Sequence, residues 1–244
     1  LSGDLHALTG QNVTLLRRRD WQLRPSAAAS RSWEHQRLAA LYAMARGEAP
    51  LVVAAIDAAV QRCVPESVLL ESAVTMKTGE SYPVETLTAR LTAAGYVRCQ
   101  QVEGPGQFAL RGGILDVFSP AMEQPVRCEF WDDELDAMGA FDVTTQRRVH
   151  NLNETLLLPA GEVLPFRTAD TAEKAAAALE AAAKKLKRKA DAQPLLRQLE
   201  SDANALRQGI APNGSDRYLA AVYPEKTTAL DYLPENAIVC VCEG

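Results

Sequence analysis

Between Val102 and Pro159 the sequence is best satisfied by short strands joined by tight turns, packed with one face inward. The segment VRCEFW, Val126 to Trp131, sets this requirement. Side chains alternate across a strand, so Val126, Cys128 and Phe130 share one face, and Arg127, Glu129 and Trp131 share the other. QFALR behaves likewise: Phe108 and Leu110 point one way, Ala109 and Arg111 the other. The apolar set is expected to enter a core and leave the second face to solvent. That face then carries Arg111, Arg127 and Trp131, residue types enriched at binding hot spots. A bare solvent-facing Trp points first to a protein partner. On this reading Arg127→Glu reverses a charge without touching the core.

The bulk properties narrow the class. The chain has 244 residues, 47% hydrophobic and 23% charged, ordinary values for a globular protein of one large domain or two to three small ones. No apolar run approaches the ~18 residues of a membrane-crossing helix. Leu1 opens no signal-peptide pattern, and the absence of an initial Met suggests a piece of a longer protein. Five scattered cysteines in apolar surroundings fit buried thiols in a reducing, cytoplasmic setting better than a disulfide framework. A net charge of −5 opposes non-specific nucleic-acid binding by the whole surface.

Periodicity divides the chain. Leu1–Leu8 reads as helix and Asn12–Leu16 as a buried strand. Ser32–Gly47 reads as helix, with Leu38, Leu41, Tyr42 and Ala45 at helical spacing and Gly47 as its stop. PLVVA, Pro50–Ala54, lacks alternation and reads as a parallel-sheet strand buried on both faces; Ile56–Cys63 reads as a short helix. This order suggests part of a doubly wound α/β sheet. A compact α+β module follows, from about Ala73 to Ala160: a helix over Val84–Gly95, then strands at Val97–Val102, Gln107–Arg111, Ile114–Phe118, Val126–Trp131 and Glu154–Leu158. Beyond Pro165 the chain turns helical. Asp170 and Glu173 suggest a capping box, with Ala172, Ala175, Leu179, Ala182 and Leu186 as the buried stripe. A second helix spans Pro194–Gly209, and AIVCVC, Ala237–Cys242, reads as a closing strand. The basic runs Arg17–Arg19 and Lys184–Lys189 read as solvated ends rather than phosphate contacts, the latter opposing a helix dipole.

Catalytic patterns are missing. There is no G-x-x-x-x-G-K-[ST] loop, and the glycines of GPGQFALRGG suit turns. His6, His35 and His150 lie far apart and read as surface residues. Cys240 with Cys242 lacks the second pair of a metal site, and Asp132–Glu134 reads as a solvated turn between strands. Nothing pairs a nucleophile with a base.

The pattern Gly106-x-Phe108-Ala109-x-Arg111-Gly112-x-Ile114-x-Asp116-x-Phe118 is followed by Pro125-x-Arg127-x-Glu129-Phe130-x-Asp132-Asp133-Glu134-x-Asp136. Phe141-Asp142, Thr145-Gln146-Arg147 and Leu158-Pro159-Ala160-x-Glu162 continue it. Together with Gly95-Tyr96 and Asp231-Tyr232-Leu233-Pro234, these residues resemble the N-terminal, UvrB-like module of the bacterial transcription-repair coupling factors. The likeness covers nearly the whole chain and is densest over Gly95–Glu162. It implies an α/β fold in three parts: a degenerate helicase-like parallel sheet domain (1–73), an inserted α+β domain that binds UvrA (74–160), and a helical segment returning to the sheet (161–244). Carried over residue by residue, the UvrA contacts fall on Arg111, Arg127 and Trp131, where Phe is common at the last position.

UvrB itself shares these motifs and would make the chain a helicase-like ATPase. It differs by an intact phosphate loop and a long DNA-gripping hairpin, for which Leu23–Arg31 leaves no room. Where UvrB has an Asp-Glu pair for Mg²⁺, this chain has Cys242-Glu243, and a thiol is a poor ligand for a hard cation. The resemblance therefore implies a non-enzymatic interaction module with no cofactor. Its partners would be UvrA and the rest of a parent protein that binds RNA polymerase and DNA through other domains. The resemblance also implies that, in the resting parent protein, this docking surface is covered, so that the module masks other parts of that protein.

Overall fold

The computed structural model describes residues 1–19, 31–187 and 192–242. The expectations about Leu23–Arg31, the end of the Lys184–Lys189 run and Glu243 fall wholly or partly outside these residues. The chain is mixed α/β, with a parallel strand pair, a six-stranded sheet and C-terminal helices.

The first part runs α1 (Ser2–Thr9), β1 (Val13–Leu16), α2 (Arg31–Ala45), β2 (Leu51–Ala54), α3 (Ile56–Ala59) and α4 (Glu66–Ser72). β1 and β2 pair in parallel, Val13 opposite Leu51 and Leu16 opposite Ala54. Burial on both faces is not observed: only Leu16 is fully buried, and Leu15 is exposed. With two strands among the described residues, the pair has one packed side. Leu38 and Leu41 of α2 enter the core as their spacing predicts. His35 is buried rather than on the surface, because it sits one turn before Leu38 on the inward side of α2.

The middle part holds β3 (Val74–Lys77), α5 (Val84–Ala93), β4 (Val97–Arg98), β5 (Gln107–Arg111), β6 (Ile114–Phe118), β7 (Val126–Trp131), β8 (Glu134–Phe141), β9 (Arg148–Asn151) and β10 (Glu154–Leu157). The sheet order is β4-β5-β6-β7-β8-β9. Only β4 and β5 run parallel; the other neighbours are antiparallel. β3 and β10 form a separate antiparallel pair. The inward face supplies Phe108, Leu115, Val117, Val126, Cys128, Leu135 and Met138, and α5 covers it with Leu87 and Leu91. Burial pushes the Cys128 thiol up to about 12.

The last part packs α6 (Ala169–Leu186), α7 (Gln193–Arg207) and α8 (Leu219–Val222) on the first core. Thr168, not Asp170, caps α6: its hydroxyl accepts the Thr171 N–H at 3.2 Å. The buried stripe is Ala172, Ala175, Ala176, Leu179 and Ala183, with Ala182 and Leu186 half-buried. Residues 237–242 form no strand; Ile238, Val239 and Val241 are exposed, as are Cys240 and Cys242. An apolar strand needs a sheet neighbour, and none pairs with this segment among the described residues.

The two large apolar clusters draw on different stretches of chain. One takes Leu16–Leu69 and Val163–Tyr232, the other Val74–Ala160. At the point of return lies a fully buried ion pair. Arg37 Nε donates to Glu162 at 2.8 Å, and Arg37 Nη1 donates to the Arg17 carbonyl at 2.8 Å. The Glu162 N–H in turn donates to Glu34 at 3.0 Å.

Removing one member of such a pair leaves a buried charge without its counter-ion. Glu162→Ala is expected to lower the unfolding free energy by about 3–5 kcal/mol, and Arg37→Met with Glu162→Leu to recover most of it. Urea denaturation of both variants checks this; a single variant that unfolds at the wild-type midpoint would contradict it.

Candidate docking face

The pairing register of the six-stranded sheet decides which side chains share its outer face. Residues directly opposite point the same way, so Arg111, Ile114 and Glu129 form one row, and Ala109, Asp116, Arg127 and Gly139 the next. Trp131 lies beyond the first row, opposite Glu134, where β7 turns into β8. Among the described residues no helix covers this row: α5 packs on the inward side.

Asp116 organises the second row. It is 1% exposed, and a buried carboxylate requires charge and hydrogen bonds in return. Both come from arginines. Arg111 Nη2 donates to Oδ2 at 2.6 Å; Arg127 Nε donates to Oδ1 at 2.7 Å and its Nη2 to Oδ2 at 2.9 Å, a bidentate pairing. Gln146 Oε1 accepts from Arg127 Nη2 at 3.2 Å, and the Arg127 guanidinium lies 4.6 Å from the Phe141 ring centroid. The hydrogen bonds to Asp116 raise the Arg127 guanidinium above its ordinary value, against the opposing effect of burial.

The structure brings Arg111 and Arg127 together on one carboxylate. Trp131 is at the edge of the same face, 82% exposed. The outer face is not left wholly to solvent, as the alternation alone suggested. Ala109, Phe118 and Phe141 join Val102 in a small buried cluster on that side. Phe130 is half-buried against the inner core. Nearby, Arg148 pairs with Glu129, its stem crossing β8 at Gly139. A Cβ on Gly139 would meet the His150 carbonyl at 2.7 Å, so only glycine fits there.

The turn 132–133 that presents Trp131 is built by its acids. Asp132 adopts φ 56, a region Asp tolerates, and Asp133 Oδ1 accepts the Val84 N–H at 3.1 Å at the start of α5. Among the described residues, no three His, Cys, Asp or Glu side chains are placed to hold a metal ion, and no helix is long and apolar enough to cross a membrane.

Sequence reasoning overlooked Asp116, Ile114 and Gln146. Asp116 had a signal: an acid inside the apolar run ILDVF, on the opposite face from Leu115 and Val117. Ile114 is 38% exposed beside Arg111, with nothing in its local pattern to mark it as accessible. Gln146 depends on the 142–147 turn, whose Asp142 accepts the Thr145 N–H at 2.7 Å.

A model of the UvrB interaction domain family matches residues 74–162. Over 89% of its length the chain is 32% identical to a transcription-repair-coupling factor of Bacillus subtilis, covering 19% of that protein. It is 32% identical over its whole length to one of Mycobacterium bovis, covering 20%, and 34% identical over 66% of its length to one of Escherichia coli, covering 14%. The chain thus spans about a fifth or less of the curated relatives it matches.

The ion cluster overturns the expectation that Arg127→Glu is harmless to folding. The variant would set a second carboxylate against buried Asp116 and remove the group stacked on Phe141. It is expected to cost on the order of 2–4 kcal/mol of stability, measured by urea denaturation. A wild-type unfolding midpoint would show that the cluster does not hold the three strands.

Proposed function

Because this chain belongs to the transcription-repair-coupling factor family and holds its UvrB interaction domain, we propose that the outer face of β5, β6 and β7 recruits UvrA and so couples stalled transcription to excision repair. Residues 74–160 carry the contact, and Arg111, Arg127 and Trp131 are its centre. The observation that carries this reading is Trp131, raised at a hairpin tip on the same sheet face as a paired-arginine cluster. Such an aromatic buries a large area only when a partner arrives. Arg111, 48% exposed, has donors to spare for a partner's carboxylate. The remaining parts of the chain act as a support that neither hydrolyses ATP nor needs a cofactor, since no phosphate loop is present. RNA polymerase and DNA are assigned to other parts of the parent protein.

Titration of purified UvrA against the wild-type chain, Arg111→Ala and Trp131→Ala tests this. Each variant is expected to fold and to lose about thirtyfold or more in affinity, the effect of ~2 kcal/mol at a hot spot. Arg90→Ala, on the exposed side of α5, is expected to bind as wild type. Full affinity in both face variants would move the docking surface elsewhere. In parallel, phosphate release from ATP is expected to stay at background with and without DNA; turnover above background would contradict the non-enzymatic reading.

A further inference from the structure

We propose that Asp116 is the positioning residue of this face. Its buried carboxylate holds the two guanidinium heads side by side and presets how Arg111 meets a partner's carboxylate. The inference rests on the docking reading and adds to it a division of labour between the arginines.

Two guanidinium groups converging from the strands on either side of β6 repel one another, and each carries about 2 kcal/mol of rotamer entropy when free. One shared carboxylate offsets both effects. It accepts three charge-assisted hydrogen bonds, of 2.6, 2.7 and 2.9 Å, and is itself shut off from water. The cluster keeps a net positive charge. The two arginines are not equally committed. Arg127 spends Nε and Nη2 on Asp116, Nη2 also on Gln146 Oε1, and Nη1 on the Gln146 carbonyl at 3.4 Å. Five N–H groups with four bonds leave one over. Arg111 makes two bonds, to Asp116 and to the Gln100 carbonyl at 3.2 Å. Three of its N–H groups stay available. Arg111 is thus the arginine that touches the partner, Arg127 the one that supports it, and Asp116 the group that fixes both.

The opposite role is chemically reasonable and predicts the opposite result. Asp116 could compete with an incoming carboxylate, so that neutralising it would free the arginines and tighten binding. Asp116→Asn separates the two roles. Positioning predicts an affinity for UvrA lower by about tenfold, since ordering a side chain on docking costs about that much. Asp116→Glu keeps the charge and displaces the carboxylate by one methylene. Positioning predicts that it too loses affinity; a purely electrostatic role predicts the wild-type value. Arg111→Ala combined with Asp116→Asn should bind no more weakly than Arg111→Ala alone.

A second arm needs no partner. The Arg127 Nε–H resonance should be protected from solvent exchange in the wild-type chain and should lose that protection in Asp116→Asn, while the backbone amide spectrum keeps its dispersion. Wild-type or tighter binding by Asp116→Asn, or an Arg127 Nε–H that exchanges freely in the wild type, would overturn the inference. Failure of the wild-type chain to bind UvrA would instead remove the docking reading, with the exchange arm still deciding whether Asp116 orders the arginines.

Discussion

A carboxylate taken out of water must be answered by charge in its immediate surroundings, and Asp116 is answered from two neighbouring strands. Asp116 lies on β6, Arg111 on β5 and Arg127 on β7, so the cluster spans three strands of the sheet. A slip of one residue in any of them would turn its side chains to the opposite face. Asp116 would then enter the core of Phe108, Leu115 and Val126, and its neighbours Leu115 and Val117 would face solvent. The apolar face and the ion cluster therefore specify the same register from opposite sides. A buried ion group is weak evidence for stability in itself. Here it also opposes slips of two residues, which would keep the apolar face inward but part Asp116 from its arginines.

The second constraint is topological. The chain leaves its first core at the end of α4 and rejoins it at Val163, so a domain's worth of sheet hangs between two crossing points. Glu162 stands at the second. Its carboxylate accepts from Arg37 of α2, whose guanidinium also reaches the carbonyl of Arg17 past the end of β1. Just before it, the Ala160 N–H donates to the Ala94 carbonyl at 2.8 Å, and the Tyr96 hydroxyl donates to the Leu158 carbonyl. One short segment, 158–162, is thus bonded to both sides of the crossing. The Leu158-Pro159-Ala160-x-Glu162 motif has a physical reading in these bonds.

Legibility in the sequence followed clean apolar alternation and strand propensity rather than burial. β5, β6 and β7 were readable because each has one wholly apolar face, and α2 because its apolar spacing is helical. β8, the longest strand, was missed. ELDAMGAF contains Gly, Asp and two Ala, residues that disfavour strands, and it is held by pairing with β7 rather than by its own propensity. β9 escaped for a different reason: RVHN is exposed throughout and offers no apolar face. AIVCVC failed in the other direction, since apolar alternation describes what a strand needs and not whether a neighbour exists. At the docking face, Arg111 and Trp131 could be found from face and residue type alone. Asp116 stood out as an acid in an apolar run, but its role could not be read there, because that role depends on which residues the register sets opposite it.

The same register sets the exposed aromatic of this sheet among fixed charges. A large contiguous apolar patch is an aggregation hazard, whereas a small one with a polar rim is the usual centre of a specific interface. On β5, β6 and β7, Trp131 and Ile114 are the large apolar side chains exposed on this face among the described residues. Glu129 stands opposite Ile114 with its partner Arg148, Arg111 flanks Ile114 on the other side, and Glu134 faces Trp131. Every apolar contact offered here is therefore bordered by a charge whose sign a partner must match. The apolar pair supplies area, and the fixed charges decide which partner can use it.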